Sequence, residues 1–148
     1  MDLLDDEYYM NIALTQARIA LEEGEVPVGV VLVGGGKIIS KTYNQTEKLN
    51  DATAHAEMLA ITSGSYALAS KYLNDCTLYV TLEPCFMCAG ATYWTQLGKI
   101  CYGADDPKRG FKSVNEKLVH PKTIIKSGVL AEESKKLLDE FFTRIRKK

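Results

Sequence analysis

Two short segments hold the residues whose types and spacing could do chemistry: His55-Ala56-Glu57 and Pro84-Cys85-Phe86-Met87-Cys88, whose first cysteine lies thirty positions after the histidine. One imidazole and two thiolates form a borderline-to-soft ligand set that suits zinc, and three protein ligands leave the fourth tetrahedral position open to water. Glu57 lies two residues past the histidine, close enough to reach such a water without binding the ion. Water on zinc can ionise near neutral pH, so the set amounts to a source of nucleophilic water with a proton carrier beside it. The pattern specifies a hydrolytic zinc site.

Local geometry says how these residues could meet. Cys85 and Cys88 stand at i and i+3, on one face of a helix's first turn. The helix dipole there favours thiolate, the form that binds metal. Pro84 is expected to open this helix, where its missing N–H has no intrahelical partner in any case. His55 is expected at the start of another helix, directly after a polar loop. Two helix starts beside a sheet can converge on one ion near the C-terminal ends of the strands. A closed structural site would need a fourth Cys or His, and the candidates are Cys76, Cys101 and His120. None has ligand-like spacing. The two cysteines fall in strand-like apolar stretches and read as buried thiols, and His120 precedes Pro121 in a loop. Glu83 reads as a structural acid favouring the start of the helix that follows.

The elements that must hold these segments are legible as periodicities. Residues 5–23 place Tyr9, Ile12, Ala13, Ala17, Ala20 and Leu21 at helical spacing, with Gly24 as the stop. Val26–Val33 is a β-branched run expected to be covered on both faces. Gly34-Gly35-Gly36 turns it into a second strand, Lys37–Tyr43; with no GK[ST] and no following helix, the glycines form a hairpin turn and not a phosphate loop. A helix is expected from about Ala54, pausing at Gly64 and running to Leu73, then a strand at Cys76–Leu82. Two short strands follow at Lys99–Gly103 and Lys122–Lys126, and a terminal helix at Ala131–Arg146 with Leu137, Leu138, Phe141, Phe142 and Ile145 inward. The order α-β-β-α-β-α-β-β-α implies crossover connections and a mixed sheet with helices on both faces.

Bulk properties narrow the class. With 148 residues, 46% hydrophobic and 25% charged, residues 1–148 are expected as a single domain with its own core and no need of disulfides. No apolar run approaches the roughly 20 residues of a membrane helix. The acidic start MDLLDDEYYM lacks the basic-then-apolar order of a secretory signal, so the expected location is the cytoplasm. A net charge of −1 excludes a strongly basic nucleic-acid binder, although basic residues gather late, at Lys108, Arg109 and Lys112 and at Arg144, Arg146, Lys147 and Lys148.

Around its metal motif the chain resembles the cytidine/deoxycytidylate deaminase superfamily, and more closely its branch of bacterial tRNA-specific adenosine deaminases. The resemblance rests on Glu25-Val26-Pro27-Val28-Gly29, Thr53-Ala54-His55-Ala56-Glu57-Met58, Leu78-Tyr79-Val80-Thr81-Leu82-Glu83-Pro84-Cys85, Met87-Cys88-Ala89-Gly90-Ala91 and Gly103-Ala104-Asp105-Asp106. It extends over nearly the whole chain, including Phe141-Phe142 and the basic end of the last helix. It implies a three-layer α/β/α sandwich around a five-stranded mixed sheet, one zinc per subunit, and a homodimer whose interface helps shape an RNA groove. Residue by residue it implies His55, Cys85 and Cys88 as ligands and Glu57 as the catalytic acid/base. Asn44 would hold a flipped base, Ala56 would offer its backbone N–H to a purine, and Pro27, Val28 and Leu82 would wall the pocket. Asp106 would contact the nucleotide on the 5′ side. Tyr93-Trp94-Thr95 and the segment 107–121, with Arg109 and Phe111, depart from the family's usual pattern.

The implied reaction is hydrolytic deamination of adenosine to inosine at the wobble position of a tRNA anticodon stem-loop. A small-molecule deaminase acting on guanine, cytosine or a nucleoside would share the zinc machinery. A non-catalytic, zinc-stabilised RNA-binding protein would share the ligands but have no evident use for Glu57.

Overall fold

The valines after Gly29 build the centre of the molecule. In a computed structural model that describes residues 3–146, with side chains from Asp5 onward, they form strand β1 (Gly29–Gly34). The Gly35-Gly36 turn, with φ of +58° and +73°, returns the chain as β2 (Lys37–Tyr43). Two successive positive φ values make the hairpin turn whose twist matches its strands, and glycine adopts them without strain. The remaining strands are β3 (Cys76–Leu82), β4 (Lys99–Ala104) and β5 (Ile124–Lys126), and the helices are α1 (Leu3–Glu22), α2 (Ala56–Leu68), α3 (Phe86–Trp94) and α4 (Ala131–Arg146). The sheet runs β2-β1-β3-β4-β5. β1 is antiparallel to both neighbours, whereas β3, β4 and β5 are parallel.

Alternate residues of β1 face two separate cores, as the pleat requires. Val30 and Leu32 pack with Leu78, Val80, Ile100 and Tyr102 against Ala56 and Ala60 of α2 and Ala89 of α3. Val31 and Val33 face Met10 and Ala13 of α1, with Tyr79, Cys101 and Val129. Helix α4 lies beside α1 against β3 and β4. The result is the three-layer α/β/α sandwich with a five-stranded mixed sheet that the resemblance implied.

Several boundaries differ from expectation for local reasons. Val26-Pro27-Val28 lies outside the ladder, because the Val28 N–H donates to the Val26 carbonyl (2.8 Å) and proline has no N–H to give. Helix α2 does not pause at Gly64; there it meets the sheet so closely that a Cβ would lie 2.3 Å from Leu32 Cδ2. It ends at Leu68, where Ala69 adopts a left-handed φ of 50° and donates to the Ser65 and Tyr66 carbonyls. Pro84 precedes helix α3 and does not open it, since Cys85 holds the N-cap. On α4, Phe141 is buried as expected, but Phe142 and Ile145 are about half exposed, at 47% and 48%.

One buried charge ties the layers together. Asp6 of α1 is fully buried, accepting hydrogen bonds from Tyr79 Oη of β3 (2.8 Å), Lys99 Nζ of β4 (3.2 Å) and Lys126 Nζ of β5. Burial alone would raise its pKa, but the donors Lys126, Tyr79 and Lys99 outweigh burial and hold the carboxyl below its ordinary value of 3.8. With the folded pKa depressed, the charge stabilises the fold above the unfolded value and that contribution is lost as pH falls through the folded one. Asp6→Asn should therefore lower stability at pH 7 by about 2–4 kcal/mol. The gap between wild type and variant in urea unfolding should narrow below about pH 4. An equal gap at pH 7 and pH 3 would mean the ionised carboxylate contributes nothing.

Candidate metal centre and active-site cleft

Two helices begin at one end of the sheet, and the metal-type residues stand at their first positions. After β2 the chain folds a polar loop, closed by Gln45 N–H to the Ala54 carbonyl (3.0 Å) and Ala54 N–H to the Asp51 carbonyl (3.0 Å). The loop delivers His55 as the N-cap of α2 (φ −69°, ψ 149°). After β3, Glu83-Pro84 deliver Cys85 as the N-cap of α3 (φ −73°, ψ 174°), and Cys88 follows one turn later. Neither N-cap side chain caps its own helix. They face each other: His55 Nδ1 lies 3.6 Å from Cys85 Sγ and 3.6 Å from Cys88 Sγ.

These separations test whether zinc fits. With Zn–S near 2.3 Å and Zn–N near 2.0–2.1 Å, a tetrahedral ion places its nitrogen and sulfur ligands about 3.6 Å apart. The three donor atoms lie within 4.8 Å of one another, and among the described residues no other such cluster occurs. Cys76, Cys101 and His120 stay outside it, the two cysteines buried among apolar neighbours and His120 Nδ1 accepting from Lys122 N–H. The set offers three ligands and no fourth.

Without metal, the two thiols share a proton unequally. The hydrogen bond from Cys88 lowers Cys85 to about 4 against the opposing effect of burial, with His55 adding to the lowering. The same bond, reinforced by burial, pushes Cys88 far up. His55 is raised, chiefly by its hydrogen bond to Cys85. A metal would displace the remaining thiol proton on binding. Glu57, only 4% exposed, stands second in α2, and burial raises its carboxyl to about 7. It can therefore hold a proton as readily as release one near neutrality.

The centre opens into a cleft of about 580 Å³. Of the residues expected at the site, His55, Glu57 and Cys85 line it together with Val28, Asn44, Leu82 and Asp106, which the resemblance alone implied. Cys88 is buried beside them. Pro27 and Ala56 are buried outside the lining; Ala56 is the first residue of α2, and its carbonyl accepts from Thr42 Oγ1 (2.7 Å). Leu138 and Phe142 also line the cleft, so part of the face of α4 expected to point into the core looks onto the site.

Thr46, Asp105 and Pro107 also line the cleft and were missed. The charged run Asp105–Arg109 was a usable signal, since it directly follows β4 where α/β sheets carry ligand loops. The expected role of Glu83 changes: it is 4% exposed and accepts from the backbone N–H groups of Asp106 (2.9 Å) and Lys112 (3.1 Å), so it serves the loop across from it and not its own helix.

The late basic cluster does not stay together. Lys108 and Arg109 line the cleft, Lys112 pairs with Asp105 (3.1 Å), and Arg144 pairs with Glu140 and Glu22. Arg146 donates to Thr143 Oγ1 (3.3 Å), and Lys147 and Lys148 lie outside the described residues. On α3, Phe86 and Trp94 are largely exposed, and the Tyr93 ring rests 5.5 Å from that of His120.

Comparison with known proteins agrees with this geometry. Residues 4–104 match the family described as the cytidine and deoxycytidylate deaminase zinc-binding region. The tRNA-specific adenosine deaminase of Aquifex aeolicus (strain VF5) is 44% identical over 145 residues, 95% of each chain. That of Bacillus subtilis (strain 168) is 43% identical over 152 residues, covering 99% of this chain and 94% of the relative. A solved structure from studies of A-to-I editing by tRNA:A34 deaminases superposes with a TM-score of 0.82 at 40% identity, over 88% of this chain and 99% of that one. The chain belongs to the zinc-binding cytidine and deoxycytidylate deaminase family, and within it is similar over nearly its whole length to the tRNA-specific adenosine deaminases.

Proposed function

We propose that this protein hydrolytically deaminates adenosine to inosine at the wobble position of a tRNA anticodon stem-loop, with one zinc per subunit on His55, Cys85 and Cys88. The observation that carries the zinc hydrolase is the trio of donor atoms at zinc-like separations with buried Glu57 beside them, and the similarity over nearly the whole chain to tRNA-specific adenosine deaminases supports the substrate. Zinc held there supplies Lewis acidity that brings water toward ionisation near neutral pH.

The chain's own residues do the rest. Glu57 takes a proton from the attacking water and passes it to the adjacent ring nitrogen as the new C6–O bond forms. It then takes the remaining proton from the new C6 hydroxyl and delivers it to the amino group, so that the C6 carbonyl forms as the C6–N bond breaks and ammonia leaves. Val28 and Leu82, backed by Pro27, wall the base, while Asn44 reads its edge. Asp106 faces the nucleotide on the 5′ side. The target base must leave its stack, which an unpaired anticodon loop makes cheap.

Two further parts of the proposal concern setting. The exposed Phe86, Tyr93 and Trp94 on α3 support a second copy covering that face, because a large exposed apolar patch marks an interaction site. Among the described residues no helix is long and apolar enough to cross a membrane, and the proposed location is the cytoplasm, where tRNA is found.

Glu57→Gln should keep zinc and RNA affinity while turnover falls on the order of 10²-fold or more. Steady-state kinetics with metal analysis checks this: loss of zinc would make Glu57 a ligand, and full turnover would move the proton carrier elsewhere.

Purified protein should form inosine in an anticodon stem-loop bearing wobble adenosine and leave free guanine and cytosine untouched. If Lys108 and Arg109 touch phosphates, RNA affinity should fall with salt, and neutralising both should flatten the log–log slope by roughly 0.7 for each phosphate they had neutralised. Efficient turnover of a free base with no inosine in the stem-loop would overturn the RNA reading and leave the zinc hydrolase standing.

A further inference from the structure

Two carboxylates that take no part in the proposed chemistry are buried against the loops that line the cleft. Glu25 is 1% exposed and accepts hydrogen bonds from Lys48 N–H (2.7 Å), Glu47 N–H (3.0 Å) and Thr46 Oγ1 (3.4 Å). Glu83 accepts from the N–H groups of Asp106 and Lys112. Each gathers the backbone of one loop. The first loop follows β2 and carries Asn44 and Thr46; the second follows β4 and carries Asp106 and Arg109, and all four line the cleft. In the sheet order β1 and β3 lie between those two strands, so the loops flank the cleft from opposite sides.

Burying an ionised carboxylate is costly unless donors surround it. Here the donors are mostly backbone N–H groups of loops, which could instead bond to water. The arrangement spends buried charge on loop geometry. The second loop is shaped around its carboxylate: a Cβ on Gly110 would fall 2.2–2.4 Å from the Glu83 carboxyl atoms. It is pinned further by Phe111 N–H to the Pro84 carbonyl (2.9 Å) and Gly110 N–H to the Asp106 carbonyl (2.8 Å). Asp106 Oδ1 in turn accepts from the N–H groups of Lys108 (3.2 Å) and Arg109 (3.1 Å).

We infer that Glu25 and Glu83 are a pair of positioning residues that hold the two loops of the cleft in the conformation that receives substrate, and thereby set substrate affinity and not the chemical step. The substrate side of this inference rests on the deaminase reading above; the holding of the loops does not. A group that fixes binding geometry in ground state and transition state alike shifts KM and leaves kcat alone.

The test uses zinc-loaded protein and compares wild type with Glu25→Gln, Glu83→Gln and Gly110→Ala. Glutamine places an amide NH2 against N–H donors, and the alanine methyl displaces the second loop without touching the charge. Amide hydrogen exchange should accelerate selectively at residues 45–50 in the first variant and at residues 105–113 in the other two, with zinc content unchanged. On the wobble-adenosine stem-loop, KM should rise about tenfold or more with kcat within about threefold of wild type.

Unchanged KM, or exchange accelerated evenly through the whole chain, would reduce both residues to general stability and overturn the inference. A fall in kcat at constant KM for Glu83→Gln would place it in the chemistry and overturn it as well. Should a variant fail to fold, wild-type exchange still decides: Glu47, Lys48, Asp106 and Lys112 amides must be protected, and free exchange there contradicts the holding. Wild-type inactivity on the stem-loop would sink the substrate reading alone, leaving the exchange result to judge the loops.

Discussion

Convergence of two helix N-termini at one end of the sheet is the constraint on which the candidate site depends. His55 and Cys85 occupy N-cap positions but decline the N-cap's usual role of accepting a hydrogen bond from their own helix. Forgoing a good cap costs on the order of 1 kcal/mol per helix. Binding free energy at structural zinc sites is several times larger, so a metal can offset both. The geometry is set by packing well away from the ligands. Helices α2 and α3 bury Ala56, Ala60 and Ala89 on the same sheet face, and these small residues let the helices lie close to Val30, Leu32 and Val80. Strand β3 leads through Glu83 and Pro84 to Cys85, and the loop after β2 leads to His55. A shift in either helix would move a ligand.

The cleft beyond this centre combines apolar walls with a few directed polar groups. Val28, Leu82, Leu138 and Phe142 supply the apolar surface, and Asn44, Glu57 and Asp106 the polar positions. Such a mixture suits a flat heteroaromatic ring with polar edges. Burial keeps Glu57 near the point of gaining or losing a proton, the condition under which one carboxyl can act in both directions. Lys108 and Arg109 lie on the same loop as Asp106. That wall thus carries two cations beside two carboxylates, Asp105 and Asp106.

Much of this was legible in the sequence, for reasons that can be named. The ligand trio depends on side-chain chemistry and short spacings, and both survive folding unchanged. The strands and α-helices came out in the right order because β-branched runs and helical periodicity are local signals, whereas the two short 3-10 turns at Phe111–Ser113 and Glu116–Leu118 left no such signal. Boundaries slipped where a long-range contact overrides a local cue. Gly64 reads as a break but is where α2 presses on Leu32, and Pro84 reads as a helix start but yields that place to Cys85. Amphipathicity in α4 revealed an apolar face without saying what would cover it, and Leu138 and Phe142 turned out to line the cleft. Asp6, in an acidic stretch, carried no sign that two lysines more than ninety positions away would meet it. The same holds for Glu25 and Glu83, whose partners are backbone N–H groups of loops distant in sequence.

The proposed open zinc site is tested most directly by zinc K-edge X-ray absorption on the purified protein, combined with elemental analysis. His55, Cys85 and Cys88 as the whole protein ligand set predict one zinc per chain, with two sulfur scatterers, one imidazole nitrogen and one further light atom. A third sulfur or a second imidazole would mean a closed structural centre. Absence of zinc from protein made in zinc-replete medium would contradict the assignment altogether.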